Sequence, residues 1–223
     1  NLSKGILYMI FASFCFALTG AAARVLGNRL GAVELVLFRN LIGVVFILFS
    51  VWKRPISQEG GKNGLLIFRG IIGTLALFTF FYSITSIGLA EAITYQQTYP
   101  IFLALMSLYF LNEYLKRKEW IAIFVGFGGI CFIFLPQMSG GLHQLNNHFI
   151  GILNAIMTAI AYLSIRKLSV RYDSRSIILS FMLSGILLPI FAIIIGYILQ
   201  PTGAWKILFP PFVSPVKAEW IWV

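Results

Sequence analysis

The amino-acid sequence predicts an all-α fold, a polytopic bundle of transmembrane helices. Of the 223 residues, 59% are hydrophobic and only 11% are charged, whereas a soluble domain is usually about 45–50% apolar. The mean hydropathy is +0.90. Long apolar stretches alternate with short polar ones, and several reach the roughly 20 residues that a helix needs to cross a hydrocarbon core of about 30 Å. The protein is therefore expected to reside in a lipid bilayer.

Apolar stretches that could form spans follow one another along the chain. They cover residues 5–23, 35–52, 65–87, 89–111, 120–135, 149–165 and 177–199. Another begins at residue 219 and stops within its first turn, which predicts that this sequence belongs to a longer chain. With the N-terminus inside, most of the 17 Lys and Arg residues fall in cytoplasmic loops. The positive-inside rule therefore predicts a multi-pass protein of the cytoplasmic membrane, of the bacterial inner-membrane type, with a cytoplasmic N-terminus.

The fourth stretch, residues 89–111, combines a membrane-spanning length with polar side chains. Residues 95–99 read YQQTY, and because each residue advances by about 100° around a helix, their polar atoms point in every direction. Pro100 follows; it lacks an N–H and crowds the carbonyl four residues back, which predicts a helix kink. Such groups are tolerated in a membrane only beside protein or water. We therefore expect this helix to be central and to line a polar cavity.

Polar side chains at helical spacing on other spans would complete that cavity. On the third span they include Thr79 and Tyr82, and on the sixth Asn154, Thr158 and Tyr162. Aromatic walls with amide and hydroxyl groups suit a small amphipathic solute. The predicted substrate-binding residues are Tyr82, Tyr95, Gln96, Tyr99, Asn154 and Tyr162. The alternative is that such groups hold helices together by hydrogen bonds of about 0.6 kcal/mol each, which is the preferred interpretation for Thr79 and Thr158.

Charged residues avoid the middle of the predicted spans. The acidic residues near spans lie at span ends: Glu34, Glu91, Glu113 and Glu119. A proton-coupled carrier usually needs an acid within the membrane, so this pattern favours a uniporter or an exchanger. Arg39 and Arg69 lie near span ends, where long side chains can reach the interface. Binding of an anionic substrate by these arginines is the alternative.

Metal, cofactor and enzyme chemistry are not predicted. His143 and His148 fall in the uncharged stretch 136–148, predicted to be an external loop, and Cys15 and Cys131 lie inside apolar spans, so no spacing suits a metal. No nucleophile–base arrangement or phosphate-binding loop is present in the sequence. Although the formal charge is +10, the basic residues are scattered between spans, which argues against nucleic acid as a partner.

An internal repeat is predicted from two matching span starts. Residues 5–7 and 151–153 both read GIL, at the start of the first and sixth spans, and transporters are often built from two copies of one bundle. Five helices is an odd number, so the second copy would be inverted. The predicted domains are 1–136, the first five-helix repeat, and 149–223, the start of a second repeat with two helices and the beginning of a third.

The third to fifth spans carry the motifs of a known family. These are Arg69-Gly70, Gly73, Phe81-Tyr82, Leu89-Ala90-Glu91-Ala92, Tyr99-Pro100, Glu113 and the stretch 120–129. In these motifs the chain resembles the first repeat of EamA-type transporters of the drug/metabolite transporter superfamily. The resemblance implies ten helices in two inverted repeats, both termini in the cytoplasm, and a central cavity for small metabolites.

The expected function is that of a secondary transporter. It would move a small organic metabolite, such as an amino-acid-like, nucleotide-derived or drug-like compound, across the cytoplasmic membrane by alternating access. Its expected partners are this small-molecule substrate and the lipid bilayer. Alternatives are a membrane-embedded lipid-modifying enzyme and a non-transporting remnant or assembly partner. A homodimer contact through Ala122, Gly126 and Gly129 of the fifth span also stays open.

Overall fold

A computed structural model describes residues 4–27, 29–110, 114–135, 142–200, 205–209, 212–213 and 215 of the protein. Within these residues the helices are α1 (Lys4–Leu26), α2 (Ala32–Lys53), α3 (Asn63–Ser86), α4 (Leu89–Gln96), α5 (Tyr99–Phe110), α6 (Arg117–Phe134), α7 (Leu142–Leu168), α8 (Ser174–Leu199) and α9 (Trp205–Leu208). Helices α1, α2, α3, α7 and α8 are long and apolar enough to cross a membrane. The predicted polytopic helical bundle is confirmed. Glu113 and the span predicted to begin at residue 219 lie outside the described residues.

Helix α3 occupies the centre of the bundle. It packs most extensively against α7 and α8, and α2 packs against α8. Close approach to α8 is possible because Gly70 has no side chain: an ideal Cβ there would lie 2.8 Å from the Ser180 carbonyl oxygen. The central helix therefore comes from the third span and not, as the sequence suggested, from the fourth.

The fourth stretch forms two short helices instead of one kinked helix. Helix α4 ends at Gln96 and α5 begins at Tyr99. Between them the Thr98 hydroxyl donates a hydrogen bond to the Tyr95 carbonyl oxygen at 2.6 Å. Pro100 is the second residue of α5, where a missing N–H has no helical partner to lose. The break thus lies immediately before the proline.

The stretch 136–148 is not an external loop throughout. Helix α7 begins at Leu142, so both histidines fall within it, and His148 is only 4% exposed. The helix extends beyond the apolar stretch because its polar residues find partners on neighbouring helices. Asn147 accepts a hydrogen bond from Tyr82 of α3, and His148 bonds to Tyr95 of α4. The loop prediction for these residues was wrong.

The start of α8 is fastened to the end of α2 through Asp173 and Arg175. The Asp173 carboxylate caps α8 by accepting a hydrogen bond from the Arg175 backbone N–H at 2.9 Å, and it forms a 2.6 Å ion pair with the Arg175 side chain. Arg175 Nη1 also donates to the Ser50 and Arg54 carbonyl oxygens, at 3.3 and 2.5 Å. These hydrogen bonds from Arg175 hold the pKa of the Asp173 carboxyl below its usual 3.8.

We expect Asp173→Asn to lower the melting temperature of the purified protein at neutral pH. Asparagine can still cap the helix, but it loses the charge that pairs with Arg175. Because the pKa of Asp173 is lower in the folded state, its contribution is fully present above pH 3.8 and is lost as the pH falls through the lowered value. Melting curves of both proteins should therefore converge in acid. A constant difference at every pH would contradict this assignment.

Candidate functional site

The predicted site residues lie mainly where α7 packs against α3, α4 and α5. We call this contact the α7 seam. It is formed by Tyr82, Tyr95, Tyr99, Asn147, His148, Asn154 and Tyr162. The seam joins helices of the predicted first repeat to the first helix of the predicted second repeat.

Tyr95 and His148 form the most deeply buried contact of the seam. Tyr95 is 0% exposed, its hydroxyl lies 3.0 Å from His148 Nδ1, and the two rings meet edge to face with centroids 5.7 Å apart. Gly151 makes room for the phenol, since a Cβ there would lie 2.7 Å from the Tyr95 ring. Glu91 lies one turn before Tyr95 on α4. Sequence reasoning missed His148 because it lies in a polar, uncharged stretch.

Tyr82 and Asn154 connect α3 to α7 by hydrogen bonds. The Tyr82 hydroxyl donates to Asn147 Oδ1 at 3.1 Å. Asn154 Nδ2 donates to the Ala76 carbonyl oxygen at 2.5 Å and to Thr79 Oγ1 at 3.3 Å. Asn154 Oδ1 is buried and has no hydrogen-bond partner among the described residues. In this conformation the polar groups hold helices together, the role that the sequence offered as the alternative to substrate binding.

Tyr99 and Tyr162 form an aromatic wall further along the seam. Their rings stack with centroids 4.7 Å apart and planes inclined by 12°. Tyr162 remains 46% exposed. Near the break between α4 and α5, Gln96 Oε1 is buried without a hydrogen-bond partner in the described part of the chain. These groups retain unused capacity for contact with a solute.

Arg39 and Arg69, which we call the arginine pair, flank the bundle next to Phe181 of α8. Their guanidinium carbons lie 5.9 and 4.9 Å from the Phe181 ring centroid. Arg69 Nε and Nη1 are buried without hydrogen-bond partners among the described residues. Each arginine lies about two turns inside its helix, so the side chains reach across to α8. Gly73 leaves space for the Arg69 guanidinium, and the expectation that both side chains extend to the membrane interface stays a prediction.

Placing Arg39 and Arg69 inside a membrane bundle costs free energy that their contact with Phe181 only partly offsets. A charged residue at the centre of a membrane helix costs about 2.5–3.5 kcal/mol on insertion scales. A cation–π contact returns about 0.5–2 kcal/mol and leaves in-plane N–H donors unused. Residues of this kind within a membrane bundle usually serve function.

Two cavities lie beside α3, and Arg39 lines the smaller of them. One of about 230 Å³ lies between α1, α2 and α3, and its polar lining comes from Thr19 and Arg39. The other, of about 340 Å³, lies between α2, α3, α8 and α9 and is almost entirely apolar. Residues 95–99 line neither of these two cavities. The cavity between α1, α2 and α3 is thus a separate one, and the polar cavity predicted beside residues 95–99 stays a prediction.

The chain is similar in sequence to proteins that are named as transporters. An uncharacterised transporter of Helicobacter pylori is 30% identical over 203 residues, covering 89% of this chain and 67% of that protein. The pseudopaline exporter of Pseudomonas aeruginosa is 29% identical over 191 residues, covering 85% of this chain and 66% of that protein. The S-adenosylmethionine uptake transporter of Rickettsia bellii is 22% identical, covering 60% of this chain and 47% of that protein.

No solved structure matches the chain significantly. The family comparison assigns residues 3–135 to the EamA-like transporter family. This range includes α1 to α6 and the motifs of the third to fifth spans, so the resemblance noted from the sequence is confirmed. The chain belongs to the EamA-like transporter family.

Proposed function

We propose that the protein is a secondary transporter that carries a small organic metabolite across the cytoplasmic membrane by alternating access. The observation that carries this proposal is the concentration of polar groups inside apolar helices, at the α7 seam and the arginine pair. Lipid cannot satisfy such groups, and binding a polar solute would. Relatives are named both for export and for uptake, so family membership is compatible with transport in either direction.

The α7 seam suits a boundary that opens and closes. It joins the predicted repeats 1–136 and 149–223 through side-chain contacts such as Tyr82–Asn147 and Tyr95–His148. Interhelical hydrogen bonds in a membrane average about 0.6 kcal/mol, so few kcal/mol separate a closed from an open seam. In this proposal the N-terminus is cytoplasmic, in accordance with the distribution of Lys and Arg.

The predicted site residues receive distinct roles in this proposal. Tyr99 and Tyr162 form an aromatic wall, and Gln96 and Asn154 offer side-chain oxygens that lack partners among the described residues. The break before Pro100 positions Gln96 and Tyr99 at adjoining helix ends. Tyr82 and Tyr95 would contact the solute once their seam partners separate.

Metabolite profiling tests this function. The native gene is expressed in a bacterium, and untargeted mass spectrometry compares cells and medium for wild type, Tyr162→Ala and Tyr197→Ala. Tyr197 is 81% exposed on α8 and serves as a matched control. We expect at least one small organic compound to be redistributed by wild type and Tyr197→Ala, and about tenfold less by Tyr162→Ala, the effect of losing roughly 1.4 kcal/mol of binding.

Two outcomes would contradict the proposal. If no compound is redistributed by wild type although the protein is present in the membrane, transport fails as its function. If lipid composition changes instead, the alternative of a lipid-modifying enzyme replaces it.

A further inference from the structure

We propose that the solute is a small organic anion whose carboxylate or phosphate group binds to Arg39 and Arg69 beside Phe181. This inference rests on the proposed transport function and specifies its substrate class. Three observations support it: the arginine pair lacks a counter-charge among the described residues, Arg69 has hydrogen-bond donors without partners there, and a cavity adjoins Arg39.

The positive charge of the arginine pair has no counter-charge in the described part of the chain. Asp173 pairs with Arg175, and Glu34, Glu91 and Glu119 lie in the first turns of their helices. Among the described residues neither Arg39 nor Arg69 forms an ion pair. Charged groups inside membranes are almost always paired, so a mobile anion is the partner that this arrangement lacks.

The guanidinium N–H groups that lack a partner among the described residues define which chemical groups the anion must carry. A guanidinium presents its N–H groups in a planar fork that matches the two oxygens of a carboxylate or phosphate. The Phe181 ring near Arg69 carries no oxygen or nitrogen acceptor, and Arg69 Nε and Nη1 have no hydrogen-bond partner in the described residues. The site therefore has donors for an oxyanion and aromatic surface for an organic group.

The cavity of about 230 Å³ gives an anion room beside Arg39. Thr19 supplies a hydroxyl on the same wall, and apolar side chains such as Phe38 and Phe81 form the remainder. An organic anion in this cavity would thus contact Arg39 directly, and Arg69 lies against the same Phe181 ring as Arg39.

The test measures the thermal unfolding of the purified protein in a non-ionic detergent, with and without defined probe compounds. These are phenylacetate, inorganic phosphate, the neutral analogue phenylacetamide, the lipid phosphatidylglycerol, and sodium chloride at matched ionic strength. We expect a saturable rise in melting temperature with phenylacetate or phosphate and none with phenylacetamide or sodium chloride. Because each glutamine variant loses charge-assisted hydrogen bonds to the anion, Arg39→Gln and Arg69→Gln should each weaken the apparent affinity by about tenfold or more.

Arg117→Gln, at the exposed start of α6, is the matched control and should bind as wild type does. If a glutamine variant fails to fold, Arg39→Lys and Arg69→Lys replace it; these keep the charge but lose the fork and should bind more weakly than wild type. An equal rise with phenylacetamide, or undiminished binding by the arginine variants, would overturn the inference. Stabilisation by phosphatidylglycerol alone would assign the arginines to lipid binding and overturn it as well.

Metabolite profiling separates this inference from the proposed function. If wild type redistributes a compound without any anionic group, transport stands and the anion site fails. If the probes bind through the arginines but wild type redistributes nothing, the anion site stands and the transport function fails.

Discussion

Tyr95→Ala is expected to lower the free energy of unfolding by about 2–3 kcal/mol, since it removes roughly 100 Å³ from a closed site at about 24 cal/mol per Å³ of cavity. Tyr95 is completely buried, with its ring against Gly151 and His148. Lipid chains cannot reach the vacated volume without separating α4 from α7. Reversible unfolding in mixed detergent micelles, followed by circular dichroism, measures the change.

Tyr95→Phe is the matched control for the hydroxyl group. It keeps the ring and loses the 3.0 Å hydrogen bond to His148, for which about 0.6 kcal/mol is expected. The alanine variant should therefore be several times more destabilising than the phenylalanine variant. Equal effects would show that the hydrogen bond, and not the packing of the ring, stabilises this part of the seam.

Gly70→Ala and Gly64→Ala should change stability in opposite directions although both lie in α3. Alanine favours a helix over glycine by about 1 kcal/mol, and a Cβ at Gly64 meets no atom within 4 Å. A Cβ at Gly70 would lie 2.3 Å from Ser184 Oγ and 2.8 Å from the Ser180 backbone oxygen. The backbone oxygen cannot rotate away, so α3 and α8 must separate, and overpacking of this kind costs about 1–3 kcal/mol.

The same unfolding assay compares both variants with wild type. We expect Gly64→Ala to be neutral or stabilising and Gly70→Ala to be clearly destabilising. A stabilising effect at both positions would mean that α3 and α8 are farther apart than described. The result would bear directly on the arginine pair, because Phe181 belongs to the α8 surface that faces α3.

Much of the fold could be predicted because a helix that crosses a membrane must be a long and mostly apolar stretch of sequence. Apolar length identified the spans that became α1, α2, α3, α7 and α8. The polar residues 95–99 and Pro100 indicated an interruption in the fourth stretch, and the helix does end at Gln96. The spacing of Asn154 and Tyr162 placed them correctly on a helix that contacts the rest of the bundle.

Other features depend on contacts between residues far apart in the sequence. His148 lies in a stretch whose composition is typical of a loop, and it is helical and buried because Tyr95 of α4 offers a partner. Arg39 and Arg69 lie near the ends of apolar stretches, so their sequence positions suggest the interface. Their direction is set by Phe181, more than a hundred residues away. No local pattern contains that information.

The division of the fourth stretch into α4 and α5 has a mechanical consequence. A continuous rod would transmit any tilt of its first turns along its whole length, whereas two rods joined at Gln97 and Thr98 can reorient separately. Helix α4 contacts α7 through Tyr95 and His148, and α5 contacts it through Tyr99 and Tyr162. The two-residue joint is therefore the place at which this stretch bends most easily between its two contacts with α7.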